Sequence, residues 1–433
     1  PPTVFSPTTN VLWKTPLPPG HSSPCIWDDR IVVTTLDGTR LETLCVRRSD
    51  GHILWRKPVN AAAIEPHHDT SSPASSTPVT DGKAVVSYFG SFGLVCHELD
   101  GTPRWELPLP TPRIIYDFGT ASSPVLHDGL VVLARDQEQG GEILAVNLAD
   151  GTVRWRTSRA QFRSSWTTPV IWPQPTGPQV VVAGSVQLVG YDLASGREAW
   201  SVFGLPSFPS PSPVIADGNL LFAGWVPAGA TPQIPGFDAA LARGGEIVAG
   251  AIRLNSGNED VDTLAAGHDA NGDGRIDRSE WQALMDFWDQ RADNTLVVRP
   301  GGRGNITASH VAWRRVRGAP HVASPLFYRG RVYLVQEGGL VTCLNAQTGD
   351  PVYEQERIGV PGTYYASPVA ADARIYFSSL NGTVAVLRAG DTLEVLSRNN
   401  LGEKIAASPA IIDDILYLRT ERHLYAFADR AGR

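Results

Sequence analysis

A chain of 433 residues, 42% hydrophobic with 42 glycines and 34 prolines, is long enough to bury a large core and rich in turns. Its net charge of -7 argues against a nucleic-acid surface, because phosphate binding needs a basic footprint. No stretch approaches the ~18 uninterrupted apolar residues of a membrane-crossing helix.

The first element, Asn10-Val11-Leu12-Trp13-Lys14, reads as an aromatic strand with no unit before it. From residue 22 onward one unit recurs almost to the end. Aligned on a Ser/Thr-Pro step, its copies carry Pro24, Pro78, Pro124, Pro169, Pro213, Pro325, Pro368 and Pro409. Successive steps lie 54, 46, 45, 44, 112, 43 and 41 residues apart, and a period of roughly 40 to 50 residues is that of a four-stranded propeller blade. In the third unit the strands read as 124–126, 130–134, 142–147 and 152–156, bounded by Asp-Gly-type turns in which glycine supplies positive φ. Trp55, Trp105, Trp155 and Trp200 each follow a turn glycine by four residues, Tyr353 takes that place after Gly349, and Trp313 ends the fifth unit. Units seven and eight lack this tryptophan, with Leu393 and Val395 in that region of unit seven.

The eighth unit runs out of chain before its aromatic strand. The strand at 10–14 is therefore expected to pair with the last three, around 411–428, closing the ring and covering open sheet edges. The fold class expected is all-β, an eight-bladed propeller with a small helical insertion in blade five. Residues 10–226 would form blades one to four and the start of five, 227–293 the insertion, and 294–429 the remainder.

In such a fold the segments before each Ser/Thr-Pro step gather on one face near the channel, where loops on a rigid scaffold carry function. They bring His21; His67, His68 and Asp69; Tyr116 and Asp117; Arg163 and Trp166; Phe208; His321; Tyr364 and Tyr365; and Lys404. Imidazoles suit metal or acid–base work, and aromatic faces beside Arg and His suit sugars or peptides; an ordinary loop surface is the alternative. Asp136 and Glu138, in a polar hairpin tip or inner-strand end, are further acidic candidates.

The long interval of unit five holds the sharpest motif. Residues 269–280 fit the twelve-residue EF-hand loop, with oxygen donors Asp269, Asn271, Asp273, Asp277 and Glu280, the Arg275 carbonyl, Gly274 at the sharp turn and Ile276 at the apolar eighth place. Oxygen ligands in this number select Ca²⁺ over Zn²⁺. Trp281, Leu284, Met285 and Trp288 then form the apolar stripe of a helix over 278–291; 260–264 is the candidate entering helix. A structural Ca²⁺ is expected to pin the insertion against blade five. Cys45 and Cys96 are expected at matching interior positions of neighbouring blades, as free thiols acting as small hydrophobes or, alternatively, in a disulfide.

The exits Asp50-Gly51-His52-Ile53-Leu54-Trp55, Asp100-Gly101-Thr102-Pro103-Arg104-Trp105 and Asp150-Gly151-Thr152-Val153-Arg154-Trp155, with their Ser-Pro steps, resemble the pyrroloquinoline-quinone-like (PQQ-like) repeat family of β-propellers. The likeness spans nearly everything except about 227–305. That family includes quinoprotein alcohol dehydrogenases, the propeller subunit of the outer-membrane protein assembly machine and many secreted bacterial proteins. Asn305-Ile306-Thr307 and Asn381-Gly382-Thr383, which match glycosylation acceptors, are accordingly read as turns. Its dehydrogenases carry an adjacent Cys-Cys pair near the cofactor, whereas Cys25, Cys45, Cys96 and Cys343 lie far apart, so PQQ is not expected.

The resemblance is specific for fold and unspecific for activity; the chain is expected to be a non-catalytic, periplasmic or secreted binding or scaffold protein, with a signal peptide ahead of Pro1 removed. It would act as a monomer with a protein or carbohydrate ligand on one face. An enzyme with its site at the channel mouth, either a quinone-dependent dehydrogenase or a carbohydrate-active enzyme, is the alternative. A component of a multiprotein envelope assembly is a third reading, and would show an apolar or aromatic patch.

Overall fold

The computed structural model describes residues 1–138, 140–227, 233–242, 265, 267–273 and 275–429. Its strands form eight sheets of four antiparallel strands, blade four gaining a short fifth, Gly304–Asn305, parallel to Glu198–Phe203. Blade three runs Val125–His127, Leu130–Arg135, Glu142–Asn147 and Val153–Ser158 in spatial order. First strands of neighbouring blades touch one another and so lie at the axis. Blade eight takes Ala410–Ile412, Ile415–Arg419 and His423–Phe427 from the end of the chain and its outermost strand, Val11–Pro16, from the beginning. Lys14 pairs with Tyr425, closing the ring as expected.

The Ser/Thr-Pro repeat has a physical cause at the axis. Proline holds the residue before it extended, and each such residue donates its N–H to the hydroxyl of its counterpart in the next blade. Ser23 donates to Thr77, Thr77 to Ser123, and so on through Thr168, Ser212, Ser324, Ser367 and Ser408 back to Ser23. Eight bonds of 2.8 to 3.1 Å form a closed belt.

The Gly-x-x-x-Trp repeat is the outer counterpart. Trp13, Trp55, Trp105, Trp155 and Trp313 donate their indole N–H to Arg48, Leu99, Leu148, Leu193 and Ala346 carbonyls of the following blade, at 2.8 to 3.2 Å. Each ring lies against that blade's turn glycine; at Gly151, with φ +76°, a Cβ would sit 2.8 Å from the Trp105 ring. One residue is bulged just before the tryptophan, as at Arg154 between Trp155 and Val153, which aims the ring across the seam. Blade seven has Ser397, rather than Leu393 or Val395, at this register position. Trp200 departs too: it bonds Gln179 Oε1 of its own blade, because the corresponding turn of blade five is the longer segment 299–310 with helix Thr307–His310.

The core lies between blades. Val131, Leu133 and Leu144 of blade three, for example, pack on Val86, Leu94 and Cys96 of blade two. Cys45, Cys96 and Cys343 pair across the sheet with Trp55, Trp105 and Tyr353 at matching positions. All four cysteines are free, and burial pushes each thiol up to about 12, so they are inert filler.

The insertion leaves blade five after Asn219–Gly224 and returns at Asn294–Val298, on the face that carries the inter-blade connections. Helices α1 (Phe237–Ala242) and α2 (Arg278–Trp288) bury Trp281, Leu284 and Trp288 against Val186 and Phe203. Those residues belong to blade four, so the insertion leans on that blade rather than on five; at its base Ala292 and Asp293 bond Leu205 and Val226. The expected helix over 278–291 ends at Trp288, and the candidate entering helix at 260–264 lies outside the described residues. Asn381 and Asn305 are turn formers, accepting from the backbone of Thr383 and Thr307.

Candidate functional site

The belt of hydroxyls floors a cavity of about 300 Å³ at the channel mouth. Ser23, Thr77, Ser123 and Ser408 line it from below, and Phe118, Trp166, His321 and Tyr365 wall it. Trp166 stands edge-on to Phe118 at 5.9 Å and donates to the Gly119 carbonyl at 2.9 Å, which fixes its ring. His321 lies 5.3 Å from Trp225 at the foot of the insertion, with Nδ1 3.4 Å from Glu337. A second cavity of about 220 Å³ adjoins it over blades seven, eight and one, lined by His67, Asp69, Lys404 and Arg419 among others; His21, Thr70, Ser71 and Ala406 line both.

Of the sequence candidates, Trp166, His321 and Tyr365 therefore share the mouth, and His67, Asp69 and Lys404 the annex. His68 is exposed, its ring 5.3 Å from Phe118 and its Nδ1 2.9 Å from Thr70 Oγ1. Tyr116 and Asp117 are exposed in a tight turn with φ of 52° and 53° and line neither cavity.

Five of the candidate residues outside the insertion are buried instead of facing a ligand. Tyr364 is only 3% exposed, and its hydroxyl is spent on the Val360 carbonyl at 2.6 Å, so it supports the loop instead of facing a ligand. Arg163 is 1% exposed and paired with Glu138, which also accepts from the Ser164 hydroxyl; Phe208 is buried against the same guanidinium. Asp136 is clamped by Arg159 through two bonds of 2.6 and 2.7 Å. Asp136 and Glu138 are thus buried struts between blades three and four, since a carboxylate removed from water is retained only when paired.

Two residues of consequence carry no signal in the linear sequence. Glu65, 3% exposed, accepts from the Thr120 hydroxyl at 2.8 Å, while its Oε2 has no hydrogen-bond partner among the described residues; burial, against the pull of Thr120, pushes its carboxyl up to about 7. Arg419, at the end of an otherwise apolar strand, is 1% exposed. Burial, followed by the charges of Arg419 and Lys404, drives His21 down to about 4, leaving it neutral at pH 7.

A pH dependence follows for Glu65. Its folded value is raised, so the protonated carboxyl contributes stability that is fully present below its ordinary 4.5 and lost as pH rises through about 7. Relative to Glu65→Gln, the native protein should lose up to ~3 kcal/mol across that window and stay level above it. Denaturant midpoints of both proteins from pH 4 to 8 check this; parallel curves would refute it.

In the insertion, Asp277 caps α2 and Glu280 returns a bond to the Asp277 N–H at 2.9 Å, while the other Glu280 oxygen accepts from Ala270 and Asn271. Asp269, Asn271 and Asp273 hold the intervening turns, accepting from the N–H groups of Gly272, Asp273 and Arg275. Gly274 lies outside the described residues. Among the described residues no three His, Cys, Asp or Glu side chains converge in one cluster.

The fold is shared widely among known structures. A BamB from Moraxella catarrhalis is 12% identical over 97% of this chain and 99% of its own, with a TM-score of 0.59. A quinohemoprotein alcohol dehydrogenase, ADHIIG from Pseudomonas putida HK5, is 11% identical over 98% and 78%, with a TM-score of 0.56. A europium-containing methanol dehydrogenase is 10% identical over 97% and 93%, with a TM-score of 0.57. At these identities the likeness is one of fold, common to a named BamB and to named dehydrogenases. No curated protein matches the sequence. The family model described as outer membrane protein assembly factor BamB matches residues 3–140, 117–249 and 262–432, and the chain belongs to that family of PQQ-like propellers.

Proposed function

We propose that this propeller is a non-catalytic, extracytoplasmic binding or scaffold protein that takes a polypeptide partner at the channel mouth. The observation that carries the reading is the mouth itself, where Phe118, Trp166, His321 and Tyr365 wall a cavity of about 300 Å³ over a floor of hydroxyls. Rigid aromatics beside polar groups are the residue types on which interface energy concentrates. The family description as an assembly factor supports a protein partner and a place outside the cytoplasm. No helix among the described residues is long and apolar enough to cross a membrane.

A Ca²⁺ ion belongs to the same proposal. Its donors would be Asp269, Asn271, Asp273, the Arg275 carbonyl, Asp277 and Glu280, an all-oxygen set suited to a hard cation. Bound there, the ion would tie the loop to α2 and so to blade four. A catalytic reading has one observation in its favour, the buried Glu65 with its raised carboxyl, but that group lines neither cavity.

Melting after chelation tests the pair of claims. One Ca²⁺ per chain should restore stability by ~2.7 kcal/mol at a hundredfold excess over Kd, and PQQ added to the Ca²⁺-loaded protein should give no saturable heat. Absence of Ca²⁺ binding would sink the ion site. Tight quinone binding with a second Ca²⁺ would replace the scaffold reading with that of a dehydrogenase.

A further inference from the structure

We propose that the annex over blades seven, eight and one is a carboxylate-binding subsite, which takes an acidic side chain or chain end of the polypeptide bound at the mouth. This rests on the reading of the mouth as the binding face. Four arginines are buried among the described residues, and three of them, Arg135, Arg159 and Arg163, are each paired with a carboxylate, Glu142, Asp136 and Glu138. Arg419 is the exception. Among the described residues its guanidinium is met only by the Ser22 hydroxyl and carbonyl, at 2.6 and 3.1 Å, and by the Pro18 carbonyl at 3.4 Å, and its Nε has no hydrogen-bond partner.

A charge held out of water without a counter-charge is costly, yet the surroundings accommodate this one. Gly20 leaves it room, since a Cβ there would sit 2.4 Å from an Arg419 Nη and 2.7 Å from the Thr34 carbonyl. The cavity it lines, about 220 Å³, also presents Lys404; the Thr420 hydroxyl on its wall is spent on Glu403, at 2.6 Å. A carboxylate seated there would supply the missing negative charge and accept from a planar fork of donors. Asp69 and Glu421 line the same cavity, but Asp69 is exposed and Glu421 half-buried, so water screens them more than it screens Arg419. His21, neutral and common to both cavities, stands where the carboxylate would join the part of the ligand lying against Trp166 and Phe118.

Calorimetric titration of the full chain with three synthetic probes tests the assignment: acetyl-Gly-Phe with a free carboxylate, its C-terminal amide, and the C-terminal amide of acetyl-Asp-Phe. At least one charged probe should bind ~10-fold tighter than the neutral amide, and which one does so separates a chain end from an acidic side chain. Arg419→Met and Lys404→Ala should each erase that difference, while Tyr365→Ala should weaken all three probes alike. Lys404 is exposed, so its variant carries the test should Arg419→Met fail to fold. The His21 imidazole, followed by NMR, should titrate higher with the charged probe bound, a change that a merely structural Arg419 would not produce. Equal binding of all three probes, or a preference surviving both variants, overturns the subsite and leaves the mouth reading standing. Failure of all three to bind overturns both.

Discussion

Removing residues 1–17 should abolish the cooperative fold. The loss takes away the outer strand of blade eight and with it Trp13, which bonds the Arg48 carbonyl at 2.8 Å and covers Gly51 of blade one. It also removes Phe5, which packs on Phe427 with ring centroids 4.8 Å apart, and the Pro2 carbonyl that accepts from Tyr376. The remaining ring would expose an unpaired edge along His423–Phe427, a template for association. The expected result is a chain without a cooperative melt that elutes as aggregate in size exclusion. A graded version is Trp13→Ala, which should cost ~3–5 kcal/mol through cavity and lost contact, against a change within ~0.5 kcal/mol for the surface control Val316→Ala, 71% exposed. Native-like melting of the truncated chain would show that the seam between blades eight and one is dispensable.

The second large effect is expected at the struts between blades three and four. Asp136→Ala should cost ~3–5 kcal/mol, because it leaves Arg159, fully buried, without its carboxylate. Tyr191 and Ser165 bond the same pair and would lose their geometry with it. Arg159→Met combined with Asp136→Leu should recover most of that loss, since an apolar pair of similar volume carries no desolvation penalty. Urea unfolding of the single and double variants measures both. A mild single variant, or a double variant as unstable as the single, would mean that water reaches this pair or that the cavity cannot repack.

The same residues show where reading the chain linearly stops. Asp136 and Glu138 sit in a polar run that reads as a hairpin tip or the end of an inner strand; their partners, Arg159 and Arg163, lie 23 and 25 residues away and arrive only when the outer strand of blade three and the connection to blade four are in place. Tyr364 and Tyr365 are adjacent and alike in sequence, yet the path of the loop between the strands ending at Arg357 and starting at Val369 sends one to the Val360 carbonyl and the other to the mouth. Arg419 ends a strand whose other residues are apolar, and nothing in the run Ile415–Arg419 marks it; its burial is made by Pro18 and Ser22, from the other end of the chain.

What the sequence determined by itself is the repeat and everything local to it. Eight Ser/Thr-Pro steps, the turn glycines and their tryptophans specify blade number, strand order, ring closure and the face on which the connections gather. They do so because each is a contact between neighbouring blades repeated around an axis, so periodicity along the chain is periodicity in space. Tertiary structure alone decided which of the connecting residues reach a cavity, which are buried as struts, and that the insertion rests on blade four. Those outcomes depend on pairings between residues far apart in sequence, and on the desolvation that only the assembled ring imposes.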